Sequence, residues 1–382
     1  MMTMKNRSFT ILLASALGMA GLEASITISP LATFGGGDGW RAPNEVLTGD
    51  TAGTATAGAY NYLQATHLER GLAYNPATGH LLLVSRSTAG NGIRILDGAT
   101  GADVGALNQG SGVISGGTFA INMVGVSSAG AVYVGNLTTN ASTSAFKVYS
   151  WSNEAAATPV TALSYTGAAF RMGDSFDVTG SGTGTLLGAG FANTVNAPIF
   201  AAFNTTDGTA FNGISFTPAG ATVGDARLGI TFTDNDSLIG SQGTSLGRLF
   251  DFSISGSSST TVGTIPLTSA SERLLDYTVI NSVPYLATAD TVSAEVRIYD
   301  LTDPLSPVLA GSANTTSGAL IANSNGTGSV AWGPVTGNQA TLYVLSTNHG
   351  IQAFSVIVPE PATAAVLGAA GFLAFARRRN RA

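Results

Sequence analysis

Residues 296–309, VRIYDLTDPLSPVL, are the stretch that decides the expected fold. Residues 296–299 are β-branched, aromatic or long-chained, a composition typical of a short strand. Asp300 and Asp303 favour a turn because their side chains accept hydrogen bonds from the following backbone, and Pro304 fixes φ. A second apolar segment begins at Val308. The stretch therefore predicts two antiparallel strands joined by a tight connection.

The same chemistry recurs along the central chain. Two further turns, NPATG at 75–79 and DGATG at 97–101, start with Asn or Asp and end in a glycine that can adopt positive φ. Short β-branched or aromatic segments surround them and lie at residues 81–84, 93–96, 131–134, 146–149 and 341–345. No helical pattern interrupts them, so an all-β chain is expected.

The strand-and-turn units are grouped into a longer repeat. Its period is about 50 residues, which is the usual length of a four-stranded propeller blade. Six blocks begin near Glu69, Thr118, Arg171, Asp225, Glu272 and Gly328. The pattern predicts a β-propeller of six or seven blades, and we expect residues 26–46 to supply a strand that closes the ring against the last block. Residues 296–309 resemble the repeats of bacterial surface β-propellers. The alternative is a β-helix or solenoid, whose shorter rung period is not found.

The C-terminus has a different composition. Pro359 and Pro361 each remove a backbone donor and keep Glu360 in an extended segment, so that a helix begins only after residue 361. Residues 362–376 are apolar, and a basic end follows, formed by Arg377, Arg378, Arg379 and Arg381. Such a segment stops in a membrane with its arginines on the cytoplasmic side. A helix packed on the domain is the alternative.

This tail resembles the sorting signals of the PEP-CTERM system of Gram-negative bacteria, in which a membrane-embedded exosortase recognises the Pro-Glu-Pro triplet. The resemblance implies exosortase as a partner, a transient anchor in the inner membrane, and then a location at the cell surface or outside the cell. Release or attachment in a layer rich in polysaccharide is implied as well.

The N-terminus predicts export. Lys5 and Arg7 precede an apolar run at residues 9–20, as in a signal peptide handled by the Sec machinery, with cleavage expected between Ala20 and Ser25. The expected organisation is a signal peptide at 1–24, an extracellular propeller-like domain at 25–357 and a sorting signal at 358–382.

The composition fits an exported surface protein. The 382 residues contain no cysteine and 49 glycines, only 10% are charged, and the net charge is −6. The cationic excess is concentrated in the last few residues, so nucleic acid is not expected as a partner.

No catalytic motif is persuasive. Residues 243–247, GTSLG, match G-x-S-x-G, but strands flank them where a nucleophile elbow needs a helix. His67, His80 and His349 lack the spacing of metal ligands, and the default role of Trp40, Trp151 and Trp332 is core packing, with sugar stacking as the alternative.

Carboxylates are the remaining candidates, since a glycosidase needs two of them across the scissile bond. The acids that a propeller could gather at its centre are Glu69, Asp174, Asp177, Asp225 and Asp276. The Asp174 to Asp177 segment and the Asp234-Asn235-Asp236 turn carry oxygens that suit calcium, but neither completes a calcium-binding loop. We expect no cofactor, with calcium as the alternative.

The sequence thus predicts a non-catalytic binding or scaffold module in the extracellular polysaccharide matrix. The alternative is an extracellular polysaccharide hydrolase or lyase. Three or more acids with an aromatic side chain in one central pocket would favour the enzyme.

Overall fold

The computed structural model describes residues 25–50, 62–65, 68–86, 92–194, 197–241, 246–293, 295–314, 326–347 and 349–360. Their strands form six antiparallel sheets, and two short 3₁₀ segments, Gly35–Gly37 and Gly182–Gly184, are the helical elements of these residues. The all-β expectation is confirmed.

Five sheets are four-stranded meanders. Blade 1 consists of β3 (Glu69–Asn75), β4 (His80–Ser85), β5 (Gly92–Asp97) and β6 (Asp103–Ala106). Blade 2 consists of β7 (Phe119–Val126), β8 (Val132–Leu137), β9 (Phe146–Trp151) and β10 (Val160–Tyr165). Blade 3 consists of β11 (Arg171–Thr179), β12 (Leu186–Ala192), β13 (Phe200–Thr205) and β14 (Phe211–Phe216).

Blade 4 consists of β15 (Gly229–Asp234), β16 (Ser237–Ser241), β17 (Leu246–Ser253) and β18 (Ser258–Pro266). Blade 5 consists of β19 (Glu272–Ile280), β20 (Val283–Asp290), β21 (Glu295–Asp300) and β22 (Val308–Asn314). Blade 6 combines β23 (Gly328–Thr336), β24 (Gln339–Ser346) and β25 (Gly350–Ile357) with two N-terminal strands, β1 (Thr27–Pro30) and β2 (Trp40–Arg41).

The first strand of each blade is the innermost one. Consecutive inner strands contact one another from β3 through β7, β11, β15 and β19 to β23, and β23 returns to β3. The sheets therefore form a closed ring, which makes the protein a six-bladed β-propeller. This settles the blade number at six, and a ring of separate sheets rules out the β-helix alternative.

The N-terminal segment closes the ring, as expected. Strand β1 pairs with β25 in antiparallel register, with Thr27 opposite Ile357 and Pro30 opposite Phe354. Ile26 donates a backbone hydrogen bond of 3.0 Å to the carbonyl of Ala310 in blade 5. The first and last strands of the domain thus share one sheet, which removes an exposed edge.

Six apolar clusters lie among the described residues, one between each pair of adjacent blades. Strand β4 shows how the sequence produces them. Leu81 and Leu83 belong to the cluster shared with blade 6, whereas Leu82 and Val84 belong to the cluster shared with blade 2. Because successive side chains point to opposite faces and both faces are covered, the strand is a continuous apolar run.

The turn predictions hold as well. The 75–79 turn joins β3 to β4, and the 97–101 turn joins β5 to β6. Gly79 and Gly101 both have φ of +77°, a conformation that glycine adopts without a steric penalty.

Candidate functional site

The inner strands enclose a central channel with a volume of about 630 Å³. Its walls combine exposed backbone with hydroxyl and aromatic side chains, which are Tyr74, Ser128, Thr179, Tyr277, Thr278 and Trp332. A pocket with a few polar groups on a rigid frame is a typical place for a ligand.

Two of the five candidate acids, Asp177 on β11 and Asp276 on β19, line the channel. Thr231 on β15 lies between them, since its hydroxyl interacts with Asp177 and donates to Asp276 Oδ1 over 3.5 Å. Three consecutive inner strands therefore place a carboxyl, a hydroxyl and a carboxyl in one row.

Both carboxyls have unusual protonation behaviour. Burial raises the pKa of Asp177 to about 6, although backbone donors oppose the shift. Burial raises the pKa of Asp276 to about 8, and the negative charge of Asp177 adds to the effect. The two side chains line the channel but lie deep within the ring of blades, so the ionised form is poorly solvated. Both shifts favour the protonated form of the pair near neutral pH.

The same two carboxyls also connect blades. Asp177 Oδ2 accepts a 2.7 Å hydrogen bond from the backbone N–H of Phe232 in blade 4. Asp276 Oδ2 accepts a 2.6 Å hydrogen bond from the N–H of Trp332 in blade 6. The N–H groups of the residues that follow them, Val178 and Tyr277, donate to the other oxygens at 2.8 Å. These contacts give each acid a structural role.

The other candidate acids lie outside the channel wall. Asp174 forms a two-pronged contact with Arg171, with Nε to Oδ2 at 2.5 Å and Nη2 to Oδ1 at 2.6 Å. Glu69 is buried at the start of β3, accepts the N–H of Gln64 at 2.6 Å, and has a pKa raised by burial to about 8.

Asp225 is bound within blade 4. It accepts the N–H of Thr222 at 2.6 Å and pairs with Arg248 at 3.2 Å. The pocket therefore gathers two of the candidate acids, together with Trp332, and not the three that would favour an enzyme.

The described part of the chain has no group of three or more acidic, histidine or cysteine side chains that could hold a metal ion. In the predicted turn, Asp234 Oδ1 accepts the N–H of Asn235 at 2.7 Å, so it caps the β15–β16 hairpin.

The two described histidines both take part in hydrogen bonds or ion pairs with other residues of the protein. His80 Nδ1 lies 2.6 Å from Glu154 Oε2, and the carbonyl of His349 accepts a hydrogen bond from Trp40 Nε1. His67 and residues 243–245 of the G-x-S-x-G match lie outside the described residues.

The tryptophans are mostly packed. Trp151 is fully buried between blades 1 and 2, and Trp332 is 7% exposed, although its edge reaches the channel. Trp40 is half-buried and bonded through its indole N–H. Core packing is therefore the main role of Trp151 and Trp332.

The chain leaves the propeller just before the predicted sorting motif. Val358 is buried and donates a 2.8 Å hydrogen bond to the carbonyl of Asn338, whereas Glu360 is exposed. Pro361 and the predicted anchor, with Arg377, Arg378, Arg379 and Arg381, lie outside the described residues, as does the signal peptide at 1–24. Within the described ranges, no helix has the length and apolar character needed to cross a membrane.

Sequence reasoning missed Thr231 and the arginines around Asp174. Thr231 sits in the apolar run of β15, where nothing distinguishes it from any strand threonine. Arg227 Nε lies 3.9 Å from Asp174 Oδ2 although the two residues are far apart in sequence, and only the ring geometry brings them together.

Comparison with solved structures supports the propeller. The chain is similar to a DUF4623 family protein from Bacteroides eggerthii, with a TM-score of 0.59 and 18% identity over 78% of this chain and 72% of that one. At this identity the likeness shows the fold alone.

Two weaker matches have a TM-score of 0.46. One is a gluconolactonase from Xanthomonas campestris, 14% identical over 78% of this chain and 88% of that one. The other is the WD40 repeats of RRP9, 8% identical over 76% of this chain and 94% of that one. No protein-family model matches the chain, and no curated protein matches it.

Proposed function

We propose that this chain is an exported cell-envelope protein, sorted by exosortase, whose propeller is a non-catalytic binding or scaffold module in the extracellular polysaccharide matrix. The observation that carries the proposal is the C-terminal sequence. Pro359, Glu360 and Pro361 precede an apolar run and four arginines, and the chain emerges from the propeller at an exposed Glu360. A processing enzyme needs an extended, accessible segment of this kind.

The propeller itself supports a binding role. Its channel offers hydroxyls, peptide groups and aromatic edges, which suit a polyhydroxylated ligand such as a sugar. The low charge of the chain and the absence of cysteine fit a protein that works outside the cell.

The experiment is fractionation of the host cells with Glu360→Ala beside the unaltered protein. Asp236→Ala is the control because it removes one exposed acid from a hairpin turn. We expect the unaltered and control proteins to leave the inner membrane and the Glu360→Ala protein to remain there. Identical fractionation of all three would contradict the proposal.

A polysaccharide hydrolase or lyase is the second candidate. The row of Asp177, Thr231 and Asp276 favours it, because two channel acids with raised pKa can supply a proton and a base. Against it, each acid already accepts a backbone N–H group from the next blade.

Digestion of host polysaccharide separates the two candidates. An enzyme would release oligosaccharides at a rate that falls by at least about a hundredfold in Asp276→Asn. A binding module would release none, with or without the substitution.

A further inference from the structure

Three arginines from three different blades meet at one mouth of the channel. Each blade is a meander whose first strand is innermost, and in a propeller such inner strands run in the same direction, so the segments that begin them share this mouth. Arg70 lies on β3, Arg171 begins β11, and Arg227 precedes β15. Asp174 links the last two, at 2.5 Å from Arg171 and 3.9 Å from Arg227. The charges of Asp174 and Arg171, which lie two blades away, both affect the pKa of Arg70.

β-Bulges lie in or beside the segments that carry two of these side chains. The pairing of β3 with β4 shifts between Glu69 and Leu72, and that of β11 with β12 shifts between Met172 and Phe176. A bulge of this kind redirects side chains and is frequent beside binding sites. Here both bulges fall on the mouth, and the second one contains Asp174.

The mouth carries an excess of positive charge. Elsewhere in the described chain, four arginines are held by carboxylates in the pairs Arg41–Asp50, Arg94–Asp103, Arg248–Asp225 and Arg297–Glu272. At the mouth, Asp174 is in ion-pair contact with both Arg171 and Arg227. No carboxylate among the described residues is in such contact with Arg70. Burial raises the pKa of Glu69 to about 8, which reduces the negative charge that this carboxyl places near Arg70.

Donors remain available on these arginines. Arg70 is 8% exposed, and its guanidinium hydrogen bond within the described residues runs from Nη1 to the carbonyl of Glu69 over 2.7 Å. Arg227 Nε is buried without a hydrogen-bond partner in this part of the chain. Burial lowers the pKa of Arg70 to about 10, although the nearby charges of Glu69 and Asp174 oppose the shift, and a bound anion would favour the charged guanidinium in the same way.

The mouth adjoins the channel. Ser329, which lines the channel, donates a 3.2 Å hydrogen bond to the carbonyl of Arg70. Ser175, also in the wall, donates to the carbonyl of Ala226, the residue before Arg227. The segments that carry Arg70 and Arg227 are therefore hydrogen-bonded to the channel wall, whose lining also includes aromatic side chains.

We propose that Arg70, Arg171 and Arg227 form a binding site for the oxyanion of an acidic sugar whose rings extend into the channel. Guanidinium groups bind carboxylate, phosphate and sulfate through paired charge-assisted hydrogen bonds. The inference rests on the proposed binding role of the propeller and names the class of its ligand. It does not depend on sorting by exosortase.

The test is calorimetric titration of the full-length chain in detergent with tetragalacturonate. The matched neutral tetrasaccharide, galactotetraose, and inorganic phosphate are the comparison ligands. We expect tetragalacturonate to bind, galactotetraose to bind at least about tenfold more weakly, and added salt to weaken only the acidic ligand. Phosphate alone should bind more weakly than the sugar acid because it cannot reach the channel.

Two substitutions test whether the arginines at the mouth bind the ligand. Arg227→Gln should lower the affinity for tetragalacturonate about tenfold or more, because charge-assisted bonds are lost. Its side chain is 39% exposed, so the fold should survive. Lys147→Gln is the control, since it removes one charge from β9 in blade 2. A rise in the unfolding temperature with tetragalacturonate, lost in Arg227→Gln, is the second measurement.

Three results would overturn the proposal. They are no binding of tetragalacturonate, equal binding of galactotetraose, and unchanged affinity in Arg227→Gln. Binding of phosphate as tight as that of the sugar acid would overturn the saccharide part. If the sorting experiment failed while the titration succeeded, the proposed oxyanion site would be retained and the proposed cell-envelope location would be rejected.

Discussion

Asp276 on β19 accepts a 2.6 Å hydrogen bond from the backbone N–H of Trp332 on β23, in the next blade of the ring. Asp177 makes the corresponding contact, at 2.7 Å, with the N–H of Phe232 on β15. Two acids that a sequence search would assign to catalysis thus connect adjacent inner strands. Their carboxyls satisfy buried backbone donors that would otherwise cost free energy.

The first prediction concerns the pH dependence of stability. The folded-state pKa of Asp276, about 8, lies above its ordinary value of 3.8, so this group contributes stability that is complete at acid pH and is lost as the pH rises through about 8. Asp177 and Glu69 act in the same direction. We expect the unfolding temperature to fall between pH 5 and about pH 9, and to fall less steeply in Asp276→Asn because the amide does not ionise.

Calorimetric unfolding at several pH values measures this slope. Asp276→Asn should also be less stable at pH 5, by about 1–3 kcal/mol, because the amide leaves one of two backbone donors without an acceptor. Asp236→Asn, in an exposed turn, is the control and should follow the unaltered protein. Equal slopes for all three proteins would contradict the assignment of the buried proton to Asp276.

The second prediction concerns ring closure. Ile26 is 7% exposed in the cluster between blades 5 and 6, next to the strand that completes blade 6. Ile26→Ala should lower the free energy of unfolding by about 2–5 kcal/mol, because a buried side chain is lost and a cavity remains. Denaturant unfolding measures the change.

Val308→Ala is its control, because Val308 is 46% exposed on β22. The control should change stability by less than about 0.5 kcal/mol. If Ile26→Ala were as mild as its control, the N-terminal segment would not hold the ring closed.

The third prediction concerns the close approach of blades 3 and 4. A Cβ added at Gly190 on β12 would lie 1.7 Å from the carbonyl oxygen of Ala226. The backbone must move to accept it, so Gly190→Ala should destabilise the protein by about 1–3 kcal/mol or more.

Gly184→Ala is the matched substitution, since a Cβ there meets no atom within 4 Å. We expect a stability change within about 0.5 kcal/mol for this variant. Thermal unfolding of the two glycine variants side by side is decisive, and equal loss in both would show that the blade contact is not the cause.

Much of the fold was predictable because each blade repeats the same local chemistry. The predicted starts at Glu69, Arg171, Glu272 and Gly328 coincide with the first residues of inner strands. The start predicted near Asp225 is four residues early, because residues 222–228 form the turns that lead into β15 at Gly229. Turn residues mark the end of one blade and the beginning of the next equally well, so a boundary there shifts easily.

The site was less predictable. The sequence named Asp177 and Asp276, but not their use as acceptors for Phe232 and Trp332, because that depends on the spacing between blades. Arg70 and Arg171 are 101 positions apart in sequence, and only the closed ring brings them close enough for the charge of one to affect the other. No local sequence pattern predicts such proximity.

Intact mass of the mature protein, purified from its host, tests the central claim most directly. The account predicts a mass that lacks the residues before a cut between Ala20 and Ser25 and lacks the tail that follows the Pro359-Glu360-Pro361 motif. A mass that retains the apolar run and its arginines, in a protein that has otherwise reached its final location, would contradict the account.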